Sequence, residues 1–400
     1  MKVEICPAKA DGSISAPPSK SMAHRALIAA SLADGKSVLR GISSSQDMLA
    51  TMDCLTALGA EFCREGDLVR VRGIGKKPRN SDKLACRESG STLRFLIPLC
   101  LLTGETYTLE GAPRLMERPL SVYEDLCKEK GFRFERKSEG LIVQGKLEAG
   151  EYAVPGDISS QFITGLLFAL SLLDGDSFLR VTGEWESVSY IDMTLSAMAE
   201  FGVGIRRERD GFFIRGGQTY TPREYAVEGD YSNAAFLEAL GALGGSVTVL
   251  GLNENSLQGD RVYREHFKAL SEGTPEIDLS DCPDLAPVLF AVAAYFHGAR
   301  FTGTRRLAIK ESDRGAAMAE ELAKCGVTLD LGENEITVPK ATLFPPKEVI
   351  SGHNDHRIVM AMGVLLSRLG GKIDGAQAVT KSYPGFFEDL RRLGIGVRER

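Results

Sequence analysis

Lys20 and Arg25 are the first residues whose type and placement suggest chemistry. They fall in Pro17-Pro18-Ser19-Lys20-Ser21-Met22-Ala23-His24-Arg25. The proline pair imposes an extended approach there, so a helix can begin only after Pro18. Ser19 or Ser21 can cap it. Residues 22–32, MAHRALIAASL, are almost wholly apolar. The two cations therefore stand in the first turns, beside free backbone N–H groups and the positive end of the helix dipole. That arrangement binds anions. A capped core helix with two solvated cations is the bland alternative, and the same nine residues are compatible with it.

Similar polar starts precede other apolar runs. Glu88-Ser89-Gly90-Ser91-Thr92 brings bare backbone and hydroxyls to a helix start, with Arg94 one turn later. Glycine there permits close ligand approach. Residues 111–120 form a proline-bracketed connection that holds Arg114 and Arg118, or simply a solvated loop. Ser159, Ser160 and Gln161 open a third run; two serines and a glutamine can bind phosphate or sugar hydroxyls without adding charge, whereas capping needs only one of them. Ser187 and Tyr190 add hydroxyls nearby. Asp284 faces a helix start that favours its ionised form, as a base, a hydroxyl acceptor or an N-cap. Lys310, Glu311, Asp313 and Arg314 belong to the densest charged stretch, which is a solvated face unless Ser312-Asp313 caps the next helix and fixes the others at its mouth. Asn354-Asp355-His356-Arg357 and then Lys381 complete the set, while Gln46-Asp47 has the character of a cap region.

The elements that must position these groups repeat. With Ser21, Gly90, Ser160, Ser232, Asp284 and Asp355 as markers, the spacings are 69, 70, 72, 52 and 71 residues. Each apolar helix is followed by glycine and a strand-like run such as GKSVLRGI or GGSVTVLG. A more polar helix follows and closes at Gly59, Gly131, Gly202, Gly273, Gly326 or Gly394, where a left-handed C′ residue is expected. The sequence thus predicts a strand–helix–strand–helix–strand unit used six times, with the domain change just before Glu228.

Composition agrees. The chain has 400 residues, 43% hydrophobic and 26% charged, enough for two domains with substantial cores. Apolar runs such as residues 162–173 are too short for a bilayer, so no membrane partner is expected. The start MKVEICPAKADG lacks the apolar stretch of a signal peptide, and a cytoplasmic location is expected. The eight cysteines show no metal spacing and are expected as free thiols. A net charge of −6, with no basic run carrying interleaved aromatics, argues against nucleic acid as a partner.

Taken together, P-x-S-K-S-x-x-x-R, S-G-S-T-x-R, E-R-P, S-S-Q-F, P-D, K-E-S-D-R, N-D-H-R and K-S-Y-P-x-F occur in an order and spacing that resemble the 5-enolpyruvylshikimate-3-phosphate synthases along essentially the whole chain. The resemblance implies an α/β (α+β) fold, the inside-out α/β barrel of the enolpyruvyl transferases. Its two domains would each hold three βαββαβ repeats, residues 18–227 forming one and residues 1–17 with 228–400 the other, with the active site in a cleft between them. It implies transfer of the enolpyruvyl group of phosphoenolpyruvate to the 5-hydroxyl of shikimate 3-phosphate, a step towards chorismate and the aromatic amino acids. These two small molecules would be the partners, with no metal or organic cofactor and a monomeric protein.

Carried over by residue, the resemblance implies that Lys20, Ser21 and Arg25 hold shikimate 3-phosphate and that Lys20 also reaches phosphoenolpyruvate. Ser159, Ser160 and Ser187 would take the 3-phosphate, with help from Tyr190. Gln161 would contact both substrates, and Asp284 and Lys310 the shikimate hydroxyls. Gly90, Arg118, Arg314, Arg357 and Lys381 would surround phosphoenolpyruvate. The reaction protonates the enol carbon while the 5-hydroxyl loses its proton, which assigns Asp284 as base and Glu311 as acid, with Lys20 assisting. The seven cations of this set would offset the repulsion between two substrates that each carry several negative charges.

The chain departs from the family pattern at Ser187-Val188-Ser189-Tyr190, where many members have Ser-Lys-Pro-Tyr, at Glu88-Ser89-Gly90-Ser91, and at Arg306. These departures bear on affinity and on the response to glyphosate, the family's inhibitor. The sister transferase acting on UDP-N-acetylglucosamine typically has Lys-Asn at the first helix and often a reactive cysteine in the 111–120 region; this chain has Lys20-Ser21 and no cysteine there. An RNA 3′-phosphate cyclase would need an ATP site and a nucleophilic histidine that the sequence does not offer. A non-catalytic binder of phosphorylated acids would gain nothing from Asp284 and Glu311.

Overall fold

Apolar runs with no polar face have to be covered on every side, and the chain does this by wrapping each in sheet and helix. In the computed structural model, which describes residues 1–75, 78–79 and 83–399, the chain divides into two units, Pro18–Val227 and Met1–Pro17 with Glu228–Arg400.

In the Pro18–Val227 unit the three core helices are Lys20–Leu32, Gly90–Cys100 and Ser160–Leu170. From Met22 to Leu32 every residue of the first is buried, Arg25 included. Serine caps all three: Ser19 accepts from the Met22 N–H, Ser89 from Thr92 and Ser159 from Gln161. After each core helix come a strand, a more polar helix and a hairpin, and each repeat closes a four-stranded sheet. The third is typical. Glu151–Pro155 pairs parallel with Ser177–Thr182, the right partner for a crossover through a buried helix, and Gly211–Ile214 and Ile205–Glu208 extend the sheet antiparallel.

The other unit has core helices Tyr231–Ala242, Ala286–Tyr295 and His356–Leu369. Two are capped by carboxylates, Asp230 accepting from Asn233 N–H and Asp355 from Arg357 N–H. The third is entered through a 3₁₀ turn, Pro283–Leu285, so Asp284 is not its N-cap. The fifth and sixth repeats carry four-stranded sheets, whereas the fourth has only Asp11–Ser15 paired parallel with Ser246–Leu250. This explains the 52-residue spacing. After the helix Tyr263–Glu272 the chain passes directly into the strand Glu276–Asp278, without the hairpin that the third repeat has at this point. Gly273 accordingly has an extended backbone, φ 179°, not the left-handed one expected of it, whereas Gly59, Gly131, Gly202, Gly326 and Gly394 do have positive φ.

The strands leading into the first and fourth core helices are exchanged. Asp11–Ser15, which precedes the first core helix, pairs with Ser246–Leu250, while Glu224–Ala226, which precedes the fourth, pairs with Lys36–Arg40. Lys2–Cys6 lies between Gly371–Asp374 and Gly396–Glu399, antiparallel to both. No helix among the described residues is long and apolar enough to cross a membrane.

One contact sets the spacing of the second and third core helices. Pro98, inside Gly90–Cys100, has no N–H to give to the carbonyl four residues earlier. That carbonyl belongs to Arg94, and the Tyr123 hydroxyl donates to it at 2.8 Å. Gly165 of the third core helix faces the same point: a β-carbon there would lie 2.6 Å from the Arg94 oxygen and 2.4 Å from the Tyr123 hydroxyl. Gly165→Ala should lower unfolding free energy by about 1–3 kcal/mol through overpacking. A urea titration with an unchanged midpoint would show that these helices separate without resistance.

Candidate active site

At the start of the first core helix, Lys20 Nζ lies 3.0 Å from Asp47 Oδ2, on the first turn of Gln46–Ala57. Asp47 is thus an ion-pair partner, while the cap position of its own helix is Ser45. Arg25 is buried. It donates from Nε to Thr194 Oγ1 at 2.9 Å, and from its two terminal nitrogens to the carbonyls of Ser21 at 2.7 Å and Tyr190 at 2.8 Å. Desolvation pulls it down to about 10. These bonds tie the first core helix to the helix Val188–Glu200, whose cap position is Ser187. Ser187 has a left-handed backbone, φ 54°, and is buried. Tyr190 lies on the first turn of that helix.

Gly90 opens the second core helix. A β-carbon at this position would stand 2.6 Å from Arg118 Nη1, so only glycine leaves the guanidinium its place over the helix start. Arg118 ends a short helix, Pro113–Glu117, formed within the segment that the sequence suggested was a stiff loop. Arg136 donates to the carbonyls of Met116 and Arg118 and fixes that turn. Arg94 Nη1 donates to Gln161 Oε1 at 2.8 Å, and Gln161 Nε2 to Ser91 Oγ at 3.0 Å, joining the second helix start to Ser159, Ser160 and Gln161 at the third. A buried chain of short contacts, His24 Nδ1 to Thr51 Oγ1 at 2.8 Å, Thr51 to Thr92 at 2.7 Å and Thr92 to Ser89 at 2.7 Å, joins the first to the second. Apart from Arg118, which ends a short helix, the candidate residues of this unit thus stand in the first turns of core helices or at the cap of Val188–Glu200, joined by these bonds.

The other unit gathers carboxylates and cations. Arg314, 1% exposed, donates from Nε to Asp355 Oδ2 at 2.9 Å, from Nη1 to Asp284 Oδ1 at 2.8 Å and from Nη2 to Glu311 Oε2 at 2.7 Å. It is held at the mouth of its helix by the Asp313 cap, whose carboxylate accepts from Ala316 N–H at 3.1 Å. Asp284 also accepts from Arg357 Nη2 at 2.9 Å and lies 3.5 Å from Lys310 Nζ. Lys310 is pulled down to about 8, first by desolvation and then by Arg314 and Arg306, with Asp284 and Glu311 opposing. Lys381 donates to the Asn354 carbonyl, next to Asp355. Arg306, the departure noted above, is buried and donates to the Ser280 carbonyl.

Asp355, within the Asn354-Asp355-His356-Arg357 helix start, is fully buried and is both a cap and the Arg314 partner, roles the sequence did not assign to it. A further carboxylate was not singled out in the sequence. Asp260 is buried, accepts from the Ser232 hydroxyl and is pushed up to about 7, by desolvation first and then by Asp284, against Arg357.

A sequence model described as EPSP synthase (3-phosphoshikimate 1-carboxyvinyltransferase) matches residues 6–390. Relatives named 3-phosphoshikimate 1-carboxyvinyltransferase include one from Clostridium kluyveri, 41% identical over 428 aligned positions, covering 99% of this chain and 98% of the relative. Another, from Clostridioides difficile, is 39% identical, covering 99% and 98%. Two solved structures of EPSP synthase from Acinetobacter baumannii superpose over 100% of both chains, with TM-scores of 0.79 and 0.80 at 22% and 20% identity, and share the fold. With full-length relatives near 40% identity and a family match across almost all of its length, the chain belongs to the EPSP synthase family.

Proposed function

We propose that this protein transfers the enolpyruvyl group of phosphoenolpyruvate to the 5-hydroxyl of shikimate 3-phosphate. The observation that carries this most directly is the cluster of Arg314, Arg357 and Lys310 around Asp284 and Glu311, because it supplies cations for two anionic substrates and two carboxyl groups for proton transfer in one place. The relatives' printed name gives the same activity.

In the addition step the 5-hydroxyl oxygen attacks C2 of phosphoenolpyruvate as its proton passes to Asp284 and C3 receives a proton from Glu311, giving a tetrahedral ketal phosphate. In the elimination step the Glu311 carboxylate takes a proton back from C3, the C2–C3 double bond returns and the C2–O bond to phosphate breaks, with the departing phosphate taking the proton held by Asp284. Asp284 suits the base because three cations favour its ionised form. Arg314 Nη2 likewise favours the carboxylate of Glu311, so an incoming anion that takes over this donor is what frees Glu311 to carry a proton.

Phosphoenolpyruvate would be held by Arg118 at the Gly90 helix start and by Arg314, Arg357 and Lys381, where the planar guanidinium forks suit carboxylate and phosphate. Shikimate 3-phosphate would meet Lys20, Ser21 and Arg25, its phosphate Ser159, Ser160 and Ser187, and its hydroxyls Asp284 and Lys310, with Gln161 touching both substrates. Three neutral caps leave the helix dipoles of the Pro18–Val227 unit uncompensated, which favours a phosphate there.

Purified protein should release phosphate from phosphoenolpyruvate when shikimate 3-phosphate is supplied and not when UDP-N-acetylglucosamine is; release with the nucleotide sugar alone would move the activity to the sister transferases. Glu311→Gln keeps an acceptor for Arg314 and should lower kcat about a hundredfold or more with both KM values nearly unchanged. Normal turnover in that variant removes Glu311 as the acid. Lys310 is charged below about pH 8 and loses its charge above it. The kcat/KM for shikimate 3-phosphate should therefore fall as pH rises through about 8, and Lys310→Arg, which stays charged, should abolish that limb. An identical profile in the variant would assign the limb to another group.

A further inference from the structure

We propose that Glu321, acting through His353 and the Ser351 amide, is a positioning residue that holds the 351–355 turn in the backbone form required by the phosphoenolpyruvate cations Lys381, Arg314 and Arg357. This rests on the reading that these cations bind phosphoenolpyruvate.

Four non-glycine residues among those described have positive φ: Arg87, Ser187, His353 and Asn354. Each directly precedes or joins a candidate site segment, and the last two are consecutive, at 46° and 50°. Residues with a β-carbon adopt this conformation uncommonly, His and Asn more readily than most, and two in succession depend on neighbours that hold them there. Here the enforcing group is one fully buried carboxylate. Glu321 Oε1 lies 2.7 Å from His353 Nε2, and Oε2 accepts from Ser351 N–H at 3.0 Å, while His353 N–H donates to Ser351 Oγ at 3.2 Å.

The turn delivers three things to the site. The Asn354 carbonyl receives Lys381, the Asp355 carboxylate receives Arg314 Nε and Ser312 Oγ, and Asp355 caps the helix that begins His356-Arg357. Glu321 and Arg314 sit near opposite ends of one helix, Arg314–Ala323. That single rigid element thus grips the turn twice, at Ser351 and His353 through Glu321 and at Asp355 through Arg314.

Glu320, Glu321 and His353 place three ligand atoms within 4.8 Å of one another, which is also the pattern of a metal site. Lys324 Nζ already lies 2.8 and 3.0 Å from the two Glu321 oxygens and 3.7 Å from Glu320, so the cluster holds its own cation. The Glu321 hydrogen bond also holds His353 above the ordinary imidazole range, with burial and Lys324 opposing and Glu320 adding to it.

The discriminating pair is His353→Ala and His353→Gly. Alanine removes the clamp and keeps the backbone strain, whereas glycine removes both, because it adopts positive φ without penalty. His353→Ala should raise the KM for phosphoenolpyruvate about tenfold, with that for shikimate 3-phosphate unchanged, and His353→Gly should bring it back to within about threefold of the parent. Glu321→Gln should follow His353→Ala if it folds by thermal melting; the His353 pair decides the matter if it does not. Parent-like KM values in the alanine variant, or an equal rise for both substrates that glycine does not relieve, overturn the positioning role. Arg357→Ala is the control. An unaltered phosphoenolpyruvate KM there would instead overturn the reading beneath the proposal, and the proposal with it.

Discussion

A single buried guanidinium organises the carboxylates of one unit. Arg314 spends its donors on Asp355, Asp284 and Glu311, and each of those has a second duty: a helix cap for Asp355, a shared partner of Lys310 and Arg357 for Asp284, and an acid for Glu311 in the proposed reaction. Replacing Arg314 by a neutral residue would leave Asp355, which is fully buried, without its countercharge, a situation proteins tolerate poorly. The arrangement also gives a reason for so many anionic side chains in the proposed anion site. The carboxylates hold the cations in a fixed geometry, so an arriving phosphate or carboxylate would find them already in place.

The two units solve the same positioning problem with different chemistry. In Pro18–Val227 the core helices begin with serine, and hydroxyl and amide chains, His24 to Ser89 and Arg94 to Ser91 through Gln161, hold the helix starts together. In the other unit aspartate caps appear, and ion pairs do the joining. Neutral caps preserve the electropositive helix ends and suit a group that only has to be held. Carboxylates beside cations suit a place where protons have to move.

Much of this was legible in the sequence because the signals were local. Polar residues before an all-round apolar run marked the helix starts, and the caps Ser19, Ser89, Ser159 and Asp355 lie within the stretches so marked, although of these only Ser19 was named as a cap, beside Ser21. What was not legible depends on distance along the chain. Asp47 looked like a cap because its partner Lys20 is 27 residues away. Asp260 carried no local pattern, since its burial and its neighbour Asp284 come from packing. The 52-residue spacing was visible, but the reason for it, a missing hairpin, required the sheets to be seen. Gly273 departed from its five counterparts for the same cause.

The pairing of Lys2–Cys6 has a bearing on how the protein is made. Its neighbours in the sheet are residues 371–374 and 396–399, so this strand has nothing to pair with until the ribosome has reached those distant residues. Residues 18–227 contain all the strands of their own three sheets and can complete them while synthesis continues. Residues 11–15 wait less long, for 246–250. This strand is therefore secured later than many segments made after it, with an unpaired edge exposed in the meantime, and Lys2 and Glu4 within it keep it from being a wholly apolar one.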